Sequence, residues 1–367
     1  MKLNLGIFTV ARSDFGILRK TILRFETSKK FNTTLYVGSA HKTKIFGKTS
    51  SEFKDLNIKK KFFKFQYKSS DISSIIKYFS KTITETERLI KNDKLNAIIV
   101  MGDRYEMLAI SFVALNLNIP IIHLCGGSIT LGSLDDIYRN SITKMASLHL
   151  VETIEHKKNL VRLGIKKNIF IVGAPALENI LNKNDYKKID FESKKPLLCS
   201  FHPETNIGIN KNLQNLKVLI SFIKKTDEYA FISYPNADHG YKNYINLINK
   251  SFKRSKKVEI VKNFGLKNYY KALTKSKILI GNSSSGIIES ASFNLPCINL
   301  GNRQKGRYAP KNVLNSDFKL ENIQKKYKIA SSKKFIQHLE KYKNPYYSSN
   351  TSKKVFNIIY KFLKNKH

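Results

Sequence analysis

The sequence predicts an α/β protein with two doubly wound domains, each built on a parallel sheet. Three observations predict it. Short apolar or β-branched runs alternate with helical patterns along the chain. The runs are continuous rather than alternating, as strands covered on both faces are. They also fall into two series, separated by the polar stretch Asn182–Lys195, which reads as a linker.

In the first series, strands are expected at Leu3–Val10, Thr34–Gly38, Ala97–Met101, Pro120–Leu124, Leu148–Val151 and Ile169–Gly173. Met1–Val10 imitates a signal peptide, with one lysine before a short apolar run. Arg12 and Asp14 follow at once, and no small-residue cleavage site is present, so a buried first strand is expected. Lys59–Lys68 interleaves cations with aromatics. It reads either as a plain strand with a basic approach or as a single-strand nucleic-acid binder. Met107–Leu124 is long and uncharged, but Asn116, Asn118, Pro120 and His123 interrupt it. Pro120 divides it into a helix and a strand, so it is not read as a membrane span.

The second series holds Pro196–Phe201, Tyr229–Tyr234, Val258–Val261, Ile278–Gly281 and Cys297–Leu300. A last helix near Lys353–Lys364 is expected to return to the first domain. The expected division is therefore residues 1–181 and 182–352, both Rossmann-like, with a terminal helix in 353–367.

Composition agrees with globular domains. The chain has 367 residues, 41% of them hydrophobic, which excludes a wholly disordered or collagen-like protein. Lys plus Arg number 66 against 27 Asp plus Glu, a formal charge of +39. Lysines occur in almost every segment, so the charge reads as diffuse composition. No membrane or nucleic-acid partner is expected from it. Cys125, Cys199 and Cys297 are few and far apart, as reduced cytoplasmic thiols are.

In such sheets ligands bind at the carboxyl ends of strands, and the unusual residues fall there. After the first strand comes Thr9–Gly16, a small-residue turn opening a helix. It is either an anion site to which Arg12 adds a fork or an ordinary turn. It lacks G-x-G-x-x-G, so a nicotinamide dinucleotide is not supported. Met101–Glu106 brings Asp103, Arg104 and Glu106 to a strand end. The two carboxylates suit acid–base work; alternatively, Asp103 caps the next helix and Glu106 completes a capping box.

His123–Ser128 follows the next strand, and its adjacent glycines, Gly126 and Gly127, permit close approach to a ligand. Asp135 and Asp136 begin a helix that carries Arg139. His123 and Cys125 are too few ligands for zinc. Cys125 reads as a small buried residue before it reads as a nucleophile.

In the second half His202 and Asn236 follow successive strands, as candidates for phosphate and for base or ribose. The strongest signal is Gly281–Glu289, a hydroxyl-rich turn opening a helix. Ser283 and Ser284 suit a diphosphate, and Glu289, expected in the first helical turn, suits ribose hydroxyls. Gly301–Arg307 adds Arg303.

Together GDRYEM, GSLDD followed by Arg139, VGAPALENI, HPET, YPNAD, GNSSSGIIE and GNRQKGR resemble the hydrolysing UDP-N-acetylglucosamine 2-epimerase family, from Leu3 to about Leu314. Its members include diacetylbacillosamine epimerases and sialic-acid pathway enzymes. The resemblance implies a glycosyltransferase-B-like fold with the active site in a cleft between facing domains. It implies anti elimination of the nucleoside diphosphate through a 2-acetamidoglucal, then hydration to the free 2-epimeric sugar, with no metal or nicotinamide cofactor.

By that resemblance Asp103 and Asp135 fall on acid–base positions, with Glu106 and Asp136 as further catalytic candidates. Arg12, Arg104, His202, Asn236, Ser283, Ser284, Glu289 and Arg303 fall on nucleotide contacts. Cys125, Ser128 and Arg139 would line the pocket. A nucleotide-sugar substrate, a cytoplasmic homo-oligomer (dimer or tetramer) and a sialic- or legionaminic-type surface-polysaccharide pathway are implied too. The departures are in HLCGGS, where the family commonly reads H-x-E-G-G-E. Cys125 and Ser128 replace acidic residues, and Asn140 stands where relatives often carry His. A glycosyltransferase of the same shape, or a non-hydrolysing epimerase, is the alternative.

Overall fold

The computed structural model describes residues 2–42, 53, 55–65, 71–180, 195–235 and 240–365. The chain divides into two compact units. The first comprises Met1–Ser128, Asp135–Asn179 and Ser348–His367; the second comprises Ile129–Leu134 and Ile180–Tyr347. Of the expected linker, residues 182–194 lie outside the described residues.

In the first unit, β1 (Leu3–Thr9), α1 (Arg12–Glu26), β2 (Phe31–Val37), β3 (Lys59–Phe62), α2 (Ile72–Ile90), β4 (Ala97–Met101) and α3 (Tyr105–Asn116) come first. They are followed by β5 (Ile121–Leu124), α4 (Asp135–Met145), β6 (Leu148–Val151), α5 (Ile154–Arg162), β7 (Ile169–Ile171) and the single turn α6 (Pro175–Glu178). The strands form one seven-stranded sheet in the order β3-β2-β1-β4-β5-β6-β7. Every pairing in it is parallel.

Successive residues of a strand point to opposite faces, and here both faces are apolar. Leu5, Ile7, Leu35 and Ile99 enter one core with Phe15, Leu18 and Ile22 of α1. Phe8, Tyr36, Ile98 and Val100 enter the other with Ile110 and Val113 of α3. This double coverage is why the strands lack polar alternation. The Lys59–Lys68 stretch supplies the edge strand β3. Met107–Leu124 divides near Pro120 into α3 and β5. Among the described residues no helix is long and apolar enough to cross a membrane.

The second unit runs β8 (Leu197–Ser200), α7 (Ile209–Thr226), β9 (Ala230–Ser233), α8 (Tyr241–Phe252), β10 (Val258–Val261), α9 (Gly265–Lys275) and β11 (Ile278–Gly281). Then come the one-turn helix α10 (Ser285–Ile288), β12 (Cys297–Leu300), β13 (Val313–Ser316), α11 (Leu320–Ala330) and α12 (Lys333–Glu340). Its six-stranded sheet has the order β10-β9-β8-β11-β12-β13, again all parallel. β13 was not expected. Its sequence, VLNS, is only half apolar and only partly buried, so it carries no strand signature of its own. Residues 129–134, expected within the first domain, group with the second unit. There Leu131 N–H bonds the Lys305 carbonyl at 2.9 Å.

The last helix, α13 (Thr351–Lys364), packs in the first unit. Val355, Ile359 and Leu363 repeat every fourth residue and are fully buried. The Phe356 ring lies 5.1 Å from Phe25 and 5.4 Å from Phe31. At the start of α13, the Glu178 carboxylate accepts the Ser352 N–H at 2.6 Å and the Ser352 hydroxyl at 2.9 Å. A carboxylate there also meets the positive end of the helix dipole. Ile359→Ala should therefore cost about 2–5 kcal/mol. Urea unfolding followed by circular dichroism measures it; a loss below about 1 kcal/mol would mean that α13 packs loosely.

Candidate functional site

Strand order reverses between β1 and β4 in the first sheet, and between β8 and β11 in the second. Crossovers leave such a point on opposite faces, so the strand ends beside it stay uncovered. Each unit carries a polar cluster there.

In the first unit, the turn after β1 is held by Asp14. Its Oδ2 accepts the N–H groups of Val10 at 2.9 Å and Ala11 at 2.8 Å. Burial pushes the Asp14 carboxyl up, against the pull of Arg104 and of those two donors. Arg12 begins α1, but its side chain lies outside the described residues.

After β4, Gly102 has φ +75°, a left-handed turn that glycine adopts at little cost. Arg104, not Asp103, is the N-cap of α3, and no side chain caps that helix end. The capping-box alternative therefore fails, because both carboxylates have cationic partners instead. Arg104 forks onto Glu106, with Nε 3.1 Å from Oε2 and Nη2 2.9 Å from Oε1. Burial opposes the Arg104 charge, but Glu106 and Asp14 outweigh it and hold its pKa well above the ordinary value.

Asp103 pairs with Nη2 of Arg139, on α4. Arg139 is only 1% exposed. Its Nη1 also lies 3.2 Å from Asp136 Oδ1 and donates to the Ser128 carbonyl at 2.9 Å. Burial opposes this charge too; Asp103 and Asp136 keep the guanidinium's pKa raised. Asp136 further accepts from Asn140 at 3.2 Å. Asp103, Asp136, Ser128 and Arg139 thus meet in one place, and Asp135 is the first residue of the same helix.

His123 serves this cluster from behind. Its Nε2 is 2.8 Å from the Gly102 carbonyl, and its Nδ1 is 3.1 Å from Thr143 Oγ1. A carbonyl only accepts, so Nε2–H donates and Nδ1 accepts the Thr143 hydroxyl. Burial lowers the His123 pKa to about 4, so the ring is neutral at pH 7. It pins the turn that presents Asp103.

Cys125 is half-buried, with φ +64°, and its N–H bonds the Leu150 carbonyl at 3.0 Å. The two glycines after it are closely packed by the protein itself. A Cβ at Gly126 would stand 3.0 Å from His123 Nδ1, and one at Gly127 would stand 2.3 Å from the His156 carbonyl oxygen.

In the second unit, Asn282 is the fully buried centre. Its Oδ1 accepts the His202 N–H at 2.7 Å, and its Nδ2 donates to the His202 carbonyl at 2.9 Å. Its own carbonyl accepts from Arg303 Nη1 at 3.2 Å and Gln304 Nε2 at 3.1 Å. Glu204 Oε1 accepts the Asn302 N–H at 3.1 Å. The loops after β8, β11 and β12 are thereby fastened together. Gly281 is required: a Cβ there would stand 1.9 Å from the Ser200 carbonyl oxygen.

His202 lies 3.4 Å from the Ser200 hydroxyl through Nε2. Burial, helped by Arg303, lowers its pKa to about 3, so at pH 7 it offers a neutral ring. Ser284 is the N-cap of α10, without a side-chain cap bond, and Ser283 Oγ accepts the Ser285 N–H at 3.4 Å. Glu289 is not in the first turn, as expected, but just past the end of α10, because that helix is one turn long. Its Oε2 accepts the Ser285 hydroxyl at 2.9 Å, and burial pushes its pKa up to about 7. Asn236 lies outside the described residues.

Sequence reading passed over His123, Glu204, Asn282 and Gln304 as supports. Asn282 and Glu204 stood inside quoted motifs, but a side chain that brackets a peptide 80 residues away leaves no local signal.

Residues 23–360 match the family described as UDP-N-acetylglucosamine 2-epimerase. The GDP/UDP-N,N'-diacetylbacillosamine 2-epimerase (hydrolyzing) of Campylobacter jejuni is 32% identical over 92% of this chain and 90% of its own. Polysialic acid biosynthesis protein P7 of Escherichia coli is 32% identical over 98% of this chain and 94% of its own. Among solved structures, the UDP-GlcNAc 2-epimerase of Neisseria meningitidis bound to UDP-GlcNAc superposes with a TM-score of 0.81 at 17% identity, covering 98% of this chain and 100% of that one.

The His123 geometry yields a pH test. Its pKa is about 4 in the fold against an ordinary 6.5, so the unfolded chain binds this proton more readily. Its contribution to stability is complete above about 6.5 and is lost as pH falls toward 4. His123→Gln keeps a donor and an acceptor but does not titrate. The unfolding free energy of the parent, relative to this variant, should decline as pH falls through that window. A constant difference across it, in urea titrations, would contradict the buried neutral ring.

Proposed function

The chain belongs to the UDP-N-acetylglucosamine 2-epimerase family, and from this we propose that it is a hydrolysing 2-epimerase of a UDP-2-acetamido sugar. The observation that carries the chemistry is the Asp103–Arg139–Asp136 cluster at the end of β4. It is a set of carboxylates fixed by a buried guanidinium rather than left to solvent. The substrates favoured are UDP-GlcNAc and UDP-N,N'-diacetylbacillosamine, after the names of the relatives. The free sugar would feed a surface-polysaccharide pathway of sialic- or legionaminic-acid type. We assign the enzyme to the cytoplasm as a homo-oligomer.

In this reading the C1–O bond breaks and its electron pair leaves with the diphosphate. A carboxylate, Asp103 or Asp135, takes the C2 proton as the glycal double bond forms. Water then adds its oxygen to C1, and a proton returns to C2 on the opposite face. Glu106 and Asp136 are the reserve acid–base groups. Ser283, Ser284, His202 and Arg303 would take the diphosphate as charge develops on it. Glu289 and Asn236 would take the ribose and base, and Arg12 and Arg104 would add positive charge. Cys125 and Ser128 would shape the sugar pocket.

Incubation with UDP-GlcNAc, UDP-N,N'-diacetylbacillosamine and its GDP counterpart, followed by NMR, should show free 2-epimeric sugar and nucleotide appearing together. Release of neither from any of the three would reject the proposal. Asp103→Asn should lose roughly 10²–10⁴-fold in turnover, with UDP affinity kept. Cys125→Ala should keep most turnover, and its complete loss in a folded variant would place the thiol in the mechanism. Arg303→Ala should weaken UDP binding roughly 10- to 150-fold, the range of a charge-assisted contact. Calorimetry reads that change directly, and an unaltered affinity would remove Arg303 from the nucleotide site.

A further inference from the structure

Glu289 follows a helix of a single turn and precedes a short 3-10 turn, Ser290–Phe293. Backbone geometry at such a junction does little to fix a flexible carboxylate side chain, so its orientation must come from its contacts. Ser285 Oγ lies 2.9 Å from Glu289 Oε2, and Tyr269 Oη on α9 lies 2.5 Å from Ser285 Oγ. Once ionised, as it is above about pH 7, the Glu289 carboxylate only accepts, so the single Ser285 proton goes to it. The Ser285 oxygen is then the acceptor, and the Tyr269 O–H is the donor. The three groups form a one-way chain from Tyr269 through Ser285 to Glu289, in which each bond polarises the next.

Tyr269 is well placed to anchor such a chain. Its ring packs at 6.0 Å from Phe264 and 6.5 Å from Tyr270, and Tyr270 in turn lies 5.7 Å from Phe293, past the far side of Glu289 in sequence. Aromatic packing therefore fixes the donor, while Glu289 keeps part of its surface exposed. One carboxylate oxygen, Oε2, accepts from Ser285, and among the described residues Oε1 has no hydrogen-bond donor.

We infer that Tyr269 is a positioning residue for nucleotide recognition: acting through Ser285, it aligns the Glu289 carboxylate with the hydroxyls of the ribose. The inference rests on the reading of Glu289 as the ribose contact. Removal of Tyr269 should loosen discrimination at the ribose while leaving the grip on the diphosphate alone.

The test is calorimetry of the full chain with UDP and with 2′-deoxy-UDP, whose phosphates are identical. The parent should prefer UDP. Tyr269→Phe, which deletes one oxygen, should reduce that preference by about 3–10-fold, the range of one lost hydrogen bond, with little change in 2′-deoxy-UDP affinity. Ser285→Ala should reduce it at least as much. The double variant should be no worse than Ser285→Ala, because without Ser285 the tyrosine has nothing to act on. Ser285→Thr, which keeps the hydroxyl, should retain the preference. If Tyr269→Phe leaves the preference intact, or if the two losses multiply in the double variant, Tyr269 does not act through Ser285 and the inference fails alone. If the parent binds both nucleotides equally, the ribose reading of Glu289 fails and takes the inference with it.

Discussion

A parallel sheet needs a crossover after every strand, and where strand order reverses, neighbouring crossovers must leave on opposite faces. The strand ends at that point cannot be roofed by the chain's own helices. Both sheets here obey this constraint, and the residues with chemical capacity lie beside it. Asp14, Asp103 and His123 follow or end β1, β4 and β5; His202, Asn282 and Arg303 follow β8, β11 and β12. The open strand ends carry a penalty, since polar groups there are half withdrawn from water. Arg139 shows how it is met: one guanidinium serves Asp103, Asp136 and the Ser128 carbonyl. Exchange of Arg139, the buried member of the set, would leave both carboxylates without the cation they share.

The same constraint explains what was legible. Strands covered on both faces announce themselves as apolar runs, and the residue after such a run is by topology near the site, so Asp103, His202 and the GNSSSG turn could be singled out. What could not be read was who partners whom. Local rules offered Asp103 and Glu106 as members of a helix cap, one of two readings, whereas Asp103 pairs with Arg139, 36 residues away on another helix. The glycines of HLCGGS read as room for a ligand; that His123 and the backbone of α5 also crowd them had no sign in the sequence. β13 escaped because an edge strand of mixed polarity buries too little to leave a pattern.

His123, weighed in the sequence only as a metal ligand, and His202, a candidate phosphate contact, are both neutral in the fold at pH 7. Burial moves His123 and His202 far below the range in which imidazole protonates at pH 7. Both therefore act through the direction of their hydrogen bonds rather than through charge. The positive charge around the candidate diphosphate position comes instead from arginine, which stays ionised when withdrawn from water.

The edge of the first sheet has a consequence for the behaviour of the whole chain. Among the described residues β3 pairs with β2 alone, which makes it an edge strand of the sheet, the kind of strand on which a foreign strand can add. Three of its four residues are Lys59, Lys60 and Lys61. Lys61 is turned to its own domain, where its ammonium meets the Asp93 carboxylate at 2.5 Å and the Leu89 carbonyl at 3.0 Å, and Lys60 donates to the Leu56 carbonyl at 2.6 Å. Charged side chains along a sheet edge disfavour pairing with a like strand, since cations would then stand about 5 Å apart across the new ladder.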